Sequence, residues 1–273
     1  MPRLQIILFA TFLFNLVATA VENNRQPYSI EFEKGNFEKG EKLSYRLHYG
    51  FVTAGKAVIS IDEKLYSVQE KPCYKMTVDG WSTPFFALGF KIKDVWASYI
   101  DTTAYIPQKS VRDIEEGRYK LHEETFYDYS DYKALVHRKH PDRDKEFHVF
   151  TVPGHVQDIV SGFYELRRVN YNKLNIGDTI CVKAFFDKQN YDFKVRYMGK
   201  GKVNTDAGKF KAIKLVPVMP KNGLFNGEES IKAWISDDKN KIPLLAEAEM
   251  FLGSVKLELT SYKGLKHEVS VIK

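Results

Sequence analysis

The sequence predicts a mainly β protein, built as an antiparallel curved sheet or a half-open β-barrel with one amphipathic helix packed against it. In residues 43–49 every odd position is apolar or aromatic and every even position is polar, which is the period of a strand with one wet face. Residues 255–260 repeat this alternation. Aromatic residues make up 14% of the chain and favour pleated, half-buried surfaces over helices.

Weaker alternation predicts further strands along the rest of the chain, at residues 57–62, 74–79, 191–197, 210–216 and 231–235. Turn-forming residues separate these segments, among them Gly50, Gly80, Gly117, Gly208 and Gly253. Their spacing is typical of an antiparallel meander, in which consecutive strands are neighbours.

One segment departs from the strand period. Apolar residues recur there at steps of three and four, namely Val156, Ile159, Val160, Phe163 and Leu166. This spacing predicts an amphipathic helix over 156–168, with Asp158 in its first turn and two arginines at its end. The chain after residue 20 is therefore read as one domain, 21–273, or as two β halves, about 30–152 and 170–273, joined by this helix.

The first twenty residues have the pattern of a secretory signal peptide. Arg3 is followed by a mostly apolar run over 4–17 and by small residues at Ala18 and Ala20, so we expect cleavage after Ala20. The run is shorter than the roughly 20 residues that cross a bilayer. We expect an exported protein, in the periplasm or associated with the outer membrane, that is soluble after cleavage and has no transmembrane segment.

The net charge of +6 gives no concentrated basic face, because lysines and acidic residues are interleaved along the chain. A nucleic-acid partner is therefore not expected. Two cysteines, Cys73 and Cys181, lie in strand-like runs. In an oxidising compartment they could form a disulfide, and the alternative is that each is a buried thiol that packs as a small hydrophobic group.

No pattern of catalytic or metal-binding residues is complete. Ser161 lies within the predicted helix and lacks the strained turn that exposes a nucleophile. His137, His140 and His148 are spaced so that a strand would place them on different faces, without a further ligand in register. We therefore expect no metal, no cofactor and no enzymatic activity.

Three ordered blocks, within 40–55, 157–167 and 228–255, resemble the exported bacterial β proteins grouped as domain-of-unknown-function family 3108. The resemblance extends from about residue 37 to residue 262 and implies an exported β protein without an established activity. The third block, with a tryptophan-bearing strand, an acidic turn and a proline-bearing strand, is also similar to the half-open barrels of the lipoprotein-carrier superfamily. That likeness implies a barrel that binds acyl chains.

Aromatic residues in the connections between strands form the candidate ligand site. They are Trp81, Phe85, Phe86 and Phe90, with Leu224 and Phe225 in a second loop. Such rings either cover the core or surround a hydrophobic cavity. The leading hypothesis is an envelope protein that binds a lipid or acyl chain, and the alternative is a structural module that binds another envelope protein.

Overall fold

The computed structural model describes residues 30–218, 230–250 and 253–272, and these form one antiparallel sheet of fourteen strands with two short α-helices. In this part of the chain, no helix has the length and apolar character needed to span a bilayer. The signal peptide predicted at residues 1–20 lies outside the described residues and stays a prediction.

Eight strands precede the longer helix. They are β1 (Lys42–Tyr49), β2 (Val52–Val68), β3 (Lys71–Ser82), β4 (Lys93–Asp101), β5 (Pro107–Glu116), β6 (Tyr119–Asp128), β7 (Lys133–Lys139) and β8 (Glu146–Thr151). The one-turn helix α1 (Pro84–Ala87) lies between β3 and β4, and α2 (Ile159–Arg167) follows β8.

A 3-10 helix (Tyr171–Lys173) leads from α2 to the remaining strands. These are β9 (Thr179–Phe186), β10 (Gln189–Thr205), β11 (Gly208–Pro217), β12 (Ile231–Ser236), β13 (Pro243–Met250) and β14 (Gly253–Lys263). The strand order is β8-β7-β6-β5-β4-β3-β2-β1-β14-β13-β12-β11-β10-β9. The ladder between β1 and β14 joins the strands before α2 to those after it in one sheet.

Alternating burial in β1 confirms the strand period read from the sequence. Leu43, Tyr45 and Leu47 are buried on the inner face, whereas the polar residues between them remain partly exposed. The prediction of a mainly β, antiparallel curved sheet is confirmed.

The sheet curls until strands far apart in its order face each other across the interior. The ring of Trp96 on β4 lies 5.7 Å from that of Phe186 at the end of β9. Ile114 of β5 and Ile180 of β9 belong to the same buried core. The curled sheet therefore encloses one main core, with α2 packed inside against β3, β4 and β9.

The two edge strands, β8 and β9, do not pair, so the barrel stays open along a seam. Contacts other than a strand ladder cover this seam. The Gln157 backbone N–H donates to the Lys183 carbonyl at 2.9 Å, and the Gln157 carbonyl accepts from the Phe185 backbone N–H at 2.8 Å. The Asn190 amide donates to the Thr151 carbonyl at 2.8 Å. These contacts cover the β9 edge around Lys183 and Phe185 and the Thr151 end of β8, and they leave the rest of the β8 edge without a ladder partner.

Helix α2 begins three residues later than the apolar spacing predicts. Asp158 is its N-cap, since its carboxylate accepts from the Ser161 backbone N–H at 2.8 Å and its own N–H donates to the Ser161 hydroxyl at 2.8 Å. Val156 and Gln157 are drawn away from the helix because Gln157 pairs with β9 at the seam. The helix therefore occupies the central part of the predicted 156–168 segment.

We expect Asp158 to make stability depend on pH. Burial raises the pKa of its carboxyl to about 6, against hydrogen bonds from Ser98 and Ser161 that favour the charged form. A raised carboxyl pKa means that the folded state holds the proton more tightly. Proton binding by Asp158 therefore stabilises the folded state. This contribution to the free energy of unfolding is fully present below the ordinary carboxyl pKa range and is lost as the pH rises through about 6.

Asp158→Asn should remove this dependence while keeping an acceptor for the helix cap. The free energy of unfolding of the variant should rise relative to that of the parent between about pH 4 and about pH 7. Denaturant titrations at several pH values in that window measure the difference. Parallel pH profiles of variant and parent would contradict the assignment.

Both cysteines are free thiols in the structure, and their pairing in an oxidising compartment stays a prediction. Cys73 of β3 is buried, whereas Cys181 of β9 is exposed between the buried Ile180 and Val182. Their strands are far apart in the sheet order, and the two thiols belong to different surroundings. Burial raises the pKa of the Cys73 thiol to about 11, which favours the neutral thiol over the thiolate at neutral pH.

Candidate functional site

An apolar cavity of about 170 Å³ lies between α2 and the inner face of the sheet. Helix α2 contributes one side of it with Ile159, Val160, Gly162, Phe163 and Leu166. The sheet contributes mostly aliphatic and aromatic side chains, namely Tyr45, Leu47, Val78, Trp96, Val182, Ala184, Phe193, Val195, Leu215, Pro217, Ala233, Trp234, Ile235, Pro243, Leu245, Ala246 and Leu257.

Small residues in the walls explain why the space stays open. Gly162 on α2 and Ala184 on β9 leave room on one side. On the other, Ala233 of β12 and Ala246 of β13 are paired directly across the strand ladder. Protein interiors are normally close-packed, so a space of this size beside one glycine and three alanines is a distinct feature of this core.

Arg167 is the charged side chain among the described residues that line the cavity, and its charge is already matched. Its guanidinium forms a two-pronged ion pair with Glu41, at 2.5 and 2.8 Å, and donates from Nε to the Asn240 carbonyl at 3.0 Å. The side chains of Arg167 and Glu41 are 1% and 0% exposed. Burial opposes the charge of Arg167, but Glu41 outweighs it, and the pKa of Arg167 is raised.

The cavity therefore offers an uncharged, apolar environment. Its volume is close to the roughly 150 Å³ of an engineered apolar cavity that stays dry and binds benzene. This is below the roughly 300 Å³ at which pockets for whole drug-sized ligands begin. In the described conformation the cavity suits a short alkyl or aromatic segment of a larger molecule.

A second, much smaller space of about 20 Å³ adjoins the cavity and shares Trp96, Ile159 and Val160 with it. Its lining mixes apolar and polar side chains, and an ionic network forms the polar part. Glu123 accepts from Arg112 at 2.8 Å and pairs with Arg138, which also contacts Asp187 at the β9–β10 turn. These charges satisfy one another and help to hold the open seam together.

The four predicted aromatic residues that the structure describes lie on and around α1. Phe85, Trp81 and Phe90 are 73%, 39% and 37% exposed, whereas Phe86 packs against the core. None of these four side chains lines the cavity. Leu224 and Phe225 fall outside the described residues, and the assignment of all six to a ligand site stays a prediction.

Sequence reasoning missed most of the aromatic lining, which comes from Trp96, Phe193 and Trp234. Phe163 could have been identified from the sequence, because it belongs to the apolar stripe that predicts α2. This stripe faces the cavity. The cavity extends toward the α1 end of the sheet, meaning the end at which β1 stops at Tyr49 and β3 at Ser82. Leu47 and Pro217, close to strand ends there, are part of its wall.

The residues considered for catalysis or metal binding have ordinary structural roles. Ser161 is buried in the α2 cap, and His148 contacts Glu146 and Lys188 near the seam. His137 packs against the rings of Phe126 and Phe147. Across the described ranges, no three His, Cys, Asp or Glu side chains are grouped as a metal site.

One family model matches most of this chain. The model of a family described as "Protein of unknown function (DUF3108)" matches residues 44–260, which is most of the chain. No curated protein matches the chain.

Among solved structures, a β-barrel-like protein of the domain-of-unknown-function family DUF1849 from Brucella abortus is similar, with a TM-score of 0.55 and 8% identity. The match covers 84% of this chain and 100% of that chain. An exported-protein candidate with a YmcC-like fold from Bacteroides fragilis matches with a TM-score of 0.36 and 13% identity, over 85% of this chain and 99% of that one. At 8% identity, the Brucella likeness bears on the fold alone.

Proposed function

The chain belongs to the DUF3108 family, whose description names no activity, and from its own cavity we propose that it is an exported binding protein for an apolar or amphipathic ligand. The alkyl part of a lipid or acyl chain would enter the space between α2 and the sheet. The polar part of such a ligand would remain outside the cavity.

This proposal rests on one observation: the interior contains an open cavity, and the lining of that cavity is almost wholly apolar. Transfer of an alkyl chain out of water contributes about 0.8 kcal/mol for each buried CH₂ group. Trp96 and Trp234 add broad, rigid contact surfaces, which suit a flexible chain of variable position.

The pairing of Arg167, the charged residue in the cavity lining, favours a binding function over a catalytic one. The Arg167 guanidinium is held by Glu41 and by the Asn240 carbonyl, so these donors are committed to the fold. The export part of the proposal is supported by the first twenty residues, with their apolar run and the small residues before Val21.

A size series at Ala246 tests the cavity as the binding site. Ala246 lies on β13 in the cavity wall, opposite Ala233. Ala246→Phe should fill the space and weaken binding of a fluorescent fatty acid at least tenfold, or by about 1.4 kcal/mol. Fluorescence titration of the purified protein measures the dissociation constant.

Ala246→Val is the matched control, because it adds less volume at the same position and should weaken binding less. Thermal melting of both variants checks that the fold is kept, since overpacking alone costs typically about 1 to 3 kcal/mol. Unchanged probe affinity in a folded Ala246→Phe variant would show that the probe binds elsewhere.

The alternative, a module that binds another envelope protein, draws on the edge strand β8. Phe147 and Val149 of this strand are 56% and 49% exposed, and an exposed strand edge can pair with a strand from a partner. This alternative predicts that the parent protein does not bind the fatty acid probe saturably. The same titration therefore separates the two functions.

A further inference from the structure

Two exposed apolar side chains, one on α1 and one just after it, lie at the same end of the sheet as a second exposed apolar pair. Phe85 and Leu88 are 73% and 88% exposed, and Phe51, in the turn between β1 and β2, is fully exposed. Val52, next to it, is 47% exposed. Single exposed apolar residues are common, but a group of them at one end of a molecule marks an interaction surface.

Hydrogen bonds hold these two segments side by side. The Thr83 hydroxyl donates to the Thr53 carbonyl at 3.1 Å, and the Thr83 backbone N–H donates to the Ala54 carbonyl at 2.8 Å. Phe86 packs back against the core, so α1 is anchored while Phe85 and Leu88 remain in solvent. The apolar tips are therefore presented on a fixed platform.

Cationic side chains surround this platform. Lys56 and Lys93 are exposed and flank Trp81 in the strand ladders on either side. Lys91 is exposed at the end of the α1 connection. The β5–β6 turn adds Arg118, and it is tied to Lys91 by the hydrogen bond from the Gly117 N–H to the Lys91 carbonyl at 2.8 Å.

The nearest acidic groups offset only part of this charge. Glu115 is shared between Lys91 and Lys120, at 3.0 and 3.7 Å. Burial raises the pKa of Asp94 to about 6 and that of Glu116 to about 7, so near neutral pH the two carboxyls together carry less than two full negative charges. Asp79, on the neighbouring strand, is half-buried, and burial raises its pKa as well.

We propose that this docking surface, made of Phe51, Val52, Phe85 and Leu88 with Lys56, Lys91 and Lys93 around them, binds the surface of an anionic lipid bilayer. Apolar side chains would enter the boundary between headgroups and acyl chains, while the lysines contact anionic headgroups. Phe51 and Leu88 lie in connections beyond the strand ends, whereas Lys56 and Lys93 lie within β2 and β4, and this order corresponds to the acyl and headgroup layers of a membrane. This inference does not depend on ligand binding in the cavity.

Vesicle co-sedimentation of the purified protein tests the proposal. Vesicles of phosphatidylcholine mixed with phosphatidylglycerol should bind the protein at least about tenfold more strongly than phosphatidylcholine alone, and added salt should weaken this binding. Phe85→Ser combined with Leu88→Ser should reduce binding to the anionic vesicles at least about tenfold.

The matched control is Ile176→Ser, since Ile176 is 71% exposed but lies before β9, at the opposite end of the sheet. This variant should bind vesicles like the parent. Failure of the parent to bind anionic vesicles, or full binding by the Phe85→Ser, Leu88→Ser variant, would overturn the proposal. The folded Ala246→Phe variant should still bind vesicles, so loss of cavity binding and loss of membrane docking are distinguishable.

Discussion

Replacing Glu41 with glutamine should destabilise the protein by about 3 to 5 kcal/mol, because it leaves the guanidinium of Arg167 buried without a counter-charge. Both side chains are almost completely buried, and their two-pronged pairing joins the start of β1 to the end of α2. Removal of one partner of such a pair costs far more than its net contribution, since the remaining charge has no access to water.

The matched control is the exposed ion pair between Arg46 and Asp206, which has a similar separation of 2.7 Å but side chains that are each 42% exposed. Asp206→Asn should cost no more than about 1 kcal/mol, because water screens that pair. Urea unfolding monitored by tryptophan fluorescence gives both values. Similar losses for the two variants would contradict the assigned role of Glu41.

Tyr164→Ala should have an effect of comparable size, about 3 to 5 kcal/mol, as other aromatic-to-alanine changes in cores do. Tyr164 is 1% exposed, and its ring packs edge-on against Phe37 at 5.0 Å. The Arg167 guanidinium also lies over this ring, 5.0 Å from its centre. Truncation would therefore empty a fully packed site beside the buried ion pair.

Phe163→Ala is the informative comparison, because the two aromatic residues are adjacent on α2 but face different surroundings. Phe163 is only partly buried and already borders the cavity, so its loss enlarges an existing space and should cost less. The apolar spacing of the sequence predicts Phe163 as a core-facing residue. A larger loss for Phe163→Ala than for Tyr164→Ala would mean that the helix is docked differently from the structure.

The sequence predicts the sheet well because alternation is a local property. The period of two in β1 directly gives the inner and outer faces of that strand. The spacing that predicts α2 also identifies the face that lines the cavity, since Ile159, Phe163 and Leu166 all contribute to it. The start of the helix is shifted because Gln157 pairs with β9, a contact that no local pattern encodes.

The candidate site is less accessible to sequence reasoning because it depends on long-range contacts. Arg167 reads from the sequence as a cation that ends the helix, whereas its partner Glu41 lies 126 residues away in sequence. The cavity exists where Ala233 and Ala246 meet across a strand ladder, and alanine gives no signal by itself. The aromatic residues around α1 are conspicuous in the sequence, yet they lie outside the cavity lining.

Photo-crosslinking with a fatty acid that carries a diazirine at its terminal carbon tests the central claim most directly. If the alkyl end enters the cavity, mass spectrometry should locate saturable adducts on α2 or on β12 and β13, at side chains such as Phe163, Trp234 and Leu245. Excess unlabelled fatty acid should suppress these adducts. Adducts confined to the surface residues Phe85 and Leu88, or no saturable adduct at all, would contradict the proposal that the cavity is the ligand site.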